Sequence, residues 1–238
     1  MLGSCLIVFP GVEPAEHAPE RPAERAATNA AYPFAVGETL EYEAKIGIIP
    51  AGQAVTRVTG TATEGGEELL VLSLTAEGGA GAMSADVGMT SWVGGESFTS
   101  RRFHRRSVIA GRSTTERFRI LPDSGRYRLE GSNQAWRTPE RPLDELAFLY
   151  YLRTLPLTPG DAYTIRGYFK TGYNPVRVKV TGRERIELGS GNEVRTLALT
   201  ITAAGLTSRV WITDDPHRRP ARLRLPTPMG TVTLVLVR

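Results

Sequence analysis

The residues able to do chemistry are few and scattered. There are three histidines, His17, His104 and His217. His17 falls in a stretch rich in Pro, Ala and Glu, and the other two show no metal-ligand spacing, so no metal site is expected. A lone cysteine, Cys5, excludes an internal disulfide and a cysteine-based zinc site. A serine nucleophile needs a base and an orienting acid, and the chain has no Gly-x-Ser-x-Gly turn. Gly189-Ser190-Gly191 lacks the Lys-Ser/Thr ending of a phosphate loop and reads as a hairpin tip. The carboxylate pairs Glu67-Glu68 and Asp214-Asp215 sit at or beside turns, where acidic residues serve the backbone or solubility. Nothing in their surroundings points to glycosidase chemistry. The densest charge is Arg101-Arg102-Phe103-His104-Arg105-Arg106. Such a run could grip phosphate, an anionic head group or nucleic acid. A nucleic-acid domain would add stacking aromatics or a known motif. The plainer reading is a strand with its arginines in solvent, neutralised across strands by Glu116, Asp123 and Glu130. The sequence therefore predicts no catalytic residue, no cofactor and no nucleic-acid partner.

The elements that must position these residues are mostly strands. From Thr39 to Ile46, Leu40, Tyr42, Ala44 and Ile46 share one face, and Glu41, Glu43 and Lys45 the other. A period of two means one face buried and one wet. Ile48 to Gly52 reads as a turn, with Gln53–Thr59 returning. Leu70, Leu72 and Leu74 share a face in the next strand. Asp86–Val93, Ser97–Ile109 and Ser113–Leu121 follow, and Pro122-Asp123-Ser124-Gly125 turns the chain into Arg126–Leu129. Ser132 to Leu143 reads as a polar connection. Strands resume with Ala162–Lys170, Val176–Val180, Val194–Ala203, Thr207–Thr213, Ala221–Leu225 and Thr231–Val237. Trp211 faces opposite to Val210 and Ile212, so both faces are apolar there. One of those faces is expected to line an interior cavity.

One segment, Asp144 to Thr154, reads as a helix. Asp144 suits the N-cap, Glu145 the positive end of the helix dipole and Arg153 the negative end. Pro156 stops it. Leu146 to Leu152 is apolar almost all round, which predicts a buried helix. The expected fold is mainly β: a single curved antiparallel sheet (barrel, half-barrel or roll) wrapped around this helix.

Residues 33–238 are expected to form that β domain. Residues 11–32, with Glu13-Pro14-Ala15-Glu16 and Glu20-Arg21-Pro22-Ala23-Glu24-Arg25, lack an apolar period and are expected to be a flexible linker. Residues 1–10 resemble the remnant of a signal or lipoprotein leader, since Leu2-Gly3-Ser4-Cys5 has the shape of a lipobox. The expectation is export, to the periplasm or outer membrane, with Cys5 as the candidate position for a lipid anchor. The basic and apolar regions of a full leader are missing upstream, and Leu6-Ile7-Val8-Phe9 stands where a polar tether is usual. No stretch approaches the ~20 apolar residues of a transmembrane helix. The 238 residues are 41% hydrophobic, with a formal charge of +4. Lys45, Lys170 and Lys179 are the only lysines. Nearly all the positive charge is arginine alternating with apolar residues along strands, which fits a GC-rich genome better than a polyanion ligand.

Phe34-Ala35-Val36-Gly37-Glu38-Thr39-Leu40-Glu41-Tyr42, followed by Gly47-Ile48-Ile49-Pro50-Ala51-Gly52, resembles the opening of the bacterial domain-of-unknown-function 3108 family. Asp144 with Tyr150-Tyr151-Leu152-Arg153-Thr154-Leu155-Pro156-Leu157 resembles its central helix and exit. Trp211-Ile212-Thr213-Asp214-Asp215, Arg219-Pro220 and Gly230 resemble its closing strands. The resemblance implies an exported, mostly β protein of the periplasm or outer membrane, with no catalytic residue to transfer. The function expected from pattern and resemblance together is non-enzymatic. A lipid-like or other apolar ligand would sit in a concave interior; alternatively, the protein is an envelope scaffold that binds another envelope protein through an edge strand.

Overall fold

A computed structural model of the protein describes residues 21–22, 32–80, 83–227 and 230–238. The leader, Cys5 and His17 lie outside these residues, as does nearly all of the expected linker. From the linker only Arg21–Pro22 (β1) and Tyr32 are described.

The chain forms one sheet with a simple path. Strands β2 (Thr39–Ile46), β3 (Ile49–Glu64), β4 (Glu67–Ala80), β5 (Met83–Gly94), β6 (Ser100–Ile109), β7 (Arg112–Leu121), β8 (Arg126–Leu129) and β9 (Ala135–Arg137) pair in turn as an antiparallel meander. The chain then passes through α1 (Glu145–Thr154). It resumes as β10 (Ala162–Ile165), β11 (Val176–Glu187), β12 (Glu193–Ala203), β13 (Leu206–Thr213), β14 (Pro220–Thr227) and β15 (Gly230–Leu236). β15 pairs antiparallel with β2, joining the two meanders, and β1 runs parallel to β10. β9 and β1 are the two edge strands and do not pair, so the sheet is an open roll. The predicted class holds: a curved, mostly antiparallel sheet with a single helix among the described residues.

The local causes are those of the sequence. Alternation puts Leu40 and Tyr42 of β2, Val176, Val178 and Val180 of β11, and Leu223 and Leu225 of β14 into the interior. Hairpins are made by residue pairs that accept left-handed backbone. Gly65-Gly66 has φ of 60° and 83°, and Ala204-Gly205 has 43° and 83°, matching the twist of the flanking strands.

Three expectations change. Pro50 to Gly52 belong to β3, which begins directly after Gly47-Ile48; a bulge opposite Ala44 and Lys45 accommodates the proline. Gly52 lies against the backbone of Glu77 and Gly78, where a Cβ would come within 2.0 Å of the Glu77 carbonyl oxygen. The polar connection contains a three-residue strand, β9, too short to carry a readable period. The predicted strand Ala162–Lys170 stops at Ile165, and the chain leaves the sheet so that Tyr168 and Phe169 can cover the helix end.

α1 lies across one end of the roll and is fastened at both of its own ends. Asp144 is the N-cap, its Oδ1 accepting from Leu146 N and Ala147 N at 3.0 Å each, an arrangement typically worth about 1 kcal/mol. Its Oδ2 accepts from Ser91 Oγ of β5 at 2.5 Å and Ser100 Oγ of β6 at 2.7 Å. At the far end Arg153, only 1% exposed, grips Glu38 with two bonds of 2.6 and 2.8 Å. It also donates to the carbonyls of Pro33 and His217 and lies over the rings of Phe34 and Tyr150. The predicted dipole role of Arg153 is the lesser part of what it does. It ties the helix to the chain entering β2 and to the turn before β14.

Candidate functional site

The roll is not filled. Beyond α1, toward the β2–β3 hairpin, two apolar cavities lie end to end with Leu74 and Leu234 in the walls of both. The inner one, about 100 Å³, is bounded by Leu146, Phe148, Leu149 and Leu152 of the helix. Its walls come from around the sheet: Met89 of β5, Ile201 of β12, Val210 of β13 and Leu223 of β14. The outer one, about 170 Å³, is walled by Ala44, Ala51, Ala54, Ala76, Gly78, Gly79, Ser84 and Ala85, with Ile46, Ile109 and Val232 toward the hairpins. Small residues at inward positions of β2 to β5 leave this space; larger ones would fill it.

A polar patch sits at the floor of the inner cavity, where Glu145 begins the helix. Arg105 of β6 is buried and holds Glu116 through its Nε at 2.9 Å and Glu145 Oε1 through NH1 at 3.3 Å. Burial pulls the Arg105 guanidinium down, but Glu145 and Glu116 outweigh it and its pKa is raised. Tyr168 stands by the same carboxylate. Desolvation first, then the charge of Glu145, pushes its phenol well above the usual range. Glu145 Oε2 is buried without a hydrogen-bond partner. Beside Glu145, Asp144 is lifted to about 7 because burial outweighs the donors that face it.

The structure separates the residues that a catalytic reading would need together. His104 lies on β6 against Trp92, with Nε2 unpartnered, and desolvation lowers its pKa. His217 lies in the turn after β13, on a different part of the molecule. The basic run is bound to carboxylates. Arg101 meets Glu67 at 2.8 Å and Asp123 at 3.6 Å, Arg102 meets Glu64, and Arg106 meets Asp86 at 3.2 Å. Glu130 pairs with Arg119 instead. The expectation of arginines in solvent fails for Arg105, which shares the inward face with Phe103. Asp214 holds Arg183, and Asp215 Oδ1 accepts from His217 N and Arg218 N, so that acidic pair builds a turn. Gly189 to Gly191 form the β11–β12 hairpin tip, as expected. No group of three metal-ligating side chains occurs among the described residues.

At Trp211 the apolar faces divide. Val210 lines the inner cavity. Trp211 packs on the outer face with Ile186, Ala198 and Ala221, and its indole donates to Glu184 at 2.7 Å. The expected interior was legible there. Glu145 was not, because a first-turn glutamate is fully accounted for by the helix dipole.

A search of solved structures finds a β-barrel-like protein of domain of unknown function DUF1849 from Brucella abortus. The match covers 84% of this chain and 95% of that one, at 10% identity and a TM-score of 0.53. At that identity the likeness concerns the fold alone. No curated protein matches the chain. The model of the family described as "Protein of unknown function (DUF3108)" matches residues 41–237. The chain belongs to that family.

Proposed function

We propose that this is a non-enzymatic protein of the bacterial cell envelope that holds a lipid-like or other apolar ligand inside the roll. The observation that supports the reading is the pair of apolar cavities running from the helix toward the hairpins. A scaffold binding through its surface would have no use for that space, and an unfilled apolar void lowers stability. A chain entering it would gain about 0.8 kcal/mol for each methylene taken from water. The β2–β3 hairpin at the outer cavity carries Ile48, 93% exposed, and Ile49 beside it. This gives an apolar approach to the mouth. The envelope location rests on the Leu2-Gly3-Ser4-Cys5 run. N-terminal sequencing of the mature protein from its host tests it.

The binding test is native mass spectrometry of gently purified protein, followed by lipid extraction and by addition of N-phenyl-1-naphthylamine. The expected result is co-purified lipid or saturable probe fluorescence near one equivalent. Protein that is repeatedly empty, folded and indifferent to added lipids would end the proposal.

A further inference from the structure

The floor of the inner cavity has a chemical preference that its walls lack. Three observations converge there. Glu145 is 7% exposed at its side chain, and its Oε2 has no hydrogen-bond partner although it is buried. The charge around it is unbalanced. Arg105 faces both Glu116 and Glu145, and Asp144 adjoins them. The nearest neutral group is the Tyr168 hydroxyl, which stands by the same carboxylate in the same cavity. A buried carboxylate oxygen left without a donor is costly, so a ligand that supplies a donor removes that cost as it binds. A second carboxylate brought to the same floor would meet like charge in a poorly solvated space.

Building on the binding function above, we propose that the ligand is an apolar chain whose buried end carries a hydrogen-bond donor, a hydroxyl, amide N–H or ammonium group. Glu145 reads that donor through Oε2. The site thereby disfavours carboxylate-ended chains such as free fatty acids. Glu145 acts here as a specificity residue, with Arg105 holding its other oxygen in place.

The test is displacement of N-phenyl-1-naphthylamine at neutral pH by decylamine, decanol and decanoate, each below its micellar concentration. Decylamine and decanol are expected to displace the probe at concentrations lower than decanoate by on the order of tenfold or more, the scale of one charge-assisted hydrogen bond. In Glu145→Gln that preference should shrink to within about threefold, because the replacement amide can also donate. Circular dichroism and a thermal melt without ligand establish that the variant is folded. If it is not, the ranking on the unaltered protein decides the matter alone. Decanoate displacing as well as decylamine and decanol, or an unchanged ranking in a folded Glu145→Gln, would overturn the assignment while leaving the cavity a general apolar site. Failure of the probe and all three ligands to bind folded protein would instead remove the binding function itself, and this assignment with it.

Discussion

At the helix end of the roll, inward positions carry Phe103 and Phe118, Phe169 packs on them from a segment outside the sheet, Phe34 and Tyr150 surround the helix, and rings meet at centroid distances of 4.9 to 6.4 Å. At the hairpin end, inward positions carry Ala44, Ala54, Ala76 and Ala85, and a cavity remains. Both ends are enclosed by the same sheet with the same period of two. What differs is side-chain volume. A sheet of this curvature encloses more space than its alanines can fill, and the aromatic residues and α1 occupy one end of it. The helix end is therefore the stabilising half, and the hairpin end is free to take something else.

The largest test of that division is Arg153→Met. Removing the guanidinium leaves Glu38 and the carbonyls of Pro33 and His217 without their partner at a buried helix end. A loss of about 3–5 kcal/mol is expected, read as a fall in the urea midpoint at constant slope. A loss below about 1 kcal/mol would mean the helix end does not anchor the roll.

An effect of comparable size is expected from pH. The carboxyl of Asp144 is raised from 3.8 to about 7 in the folded protein. The folded state thus binds more protons than the unfolded chain between those values. Its contribution to stability falls as pH rises through that window and levels off above it. Urea titrations at several pH values should show the stability of the unaltered protein declining, relative to Asp144→Asn, from about pH 4 to 7. A constant difference between the two would place the proton elsewhere.

The smallest effect on stability should come from the hairpin end. Ala76→Leu adds volume where space already exists. A change within about 1 kcal/mol is expected, against the 1–3 kcal/mol typical of overfilling a packed core. Probe fluorescence should nevertheless fall sharply, because the new side chain occupies the ligand's place. Unimpaired probe binding in Ala76→Leu would move the ligand to another part of the molecule.

Much of the frame was legible residue by residue. Thr39–Ile46 is a strand as its alternation requires, Asp144 caps the helix, and Pro122 to Gly125 turn the chain. The parts that were not legible share a cause: their partners are far away in the chain. Arg153 meets Glu38 across 115 positions, and Arg105 meets Glu145 across 40. In isolation the first looks like a dipole residue and the second like a solvated strand residue. The small residues of the outer cavity were equally silent, since an inward alanine reads the same whether or not anything opposite fills its space.

Local order is what the sequence determined by itself: strand period, turn chemistry, the capped apolar helix and, from these, a rolled sheet around it. Each follows from contacts between residues close in the chain, where spacing alone decides which face is buried. The tertiary structure alone decided that the sheet stays open between β9 and β1, that an arginine pins the helix and that alanines leave a cavity. It also placed Glu145 at the floor of the inner cavity with one oxygen unmet. Those outcomes depend on distance, volume and charge balance between segments that only folding brings together.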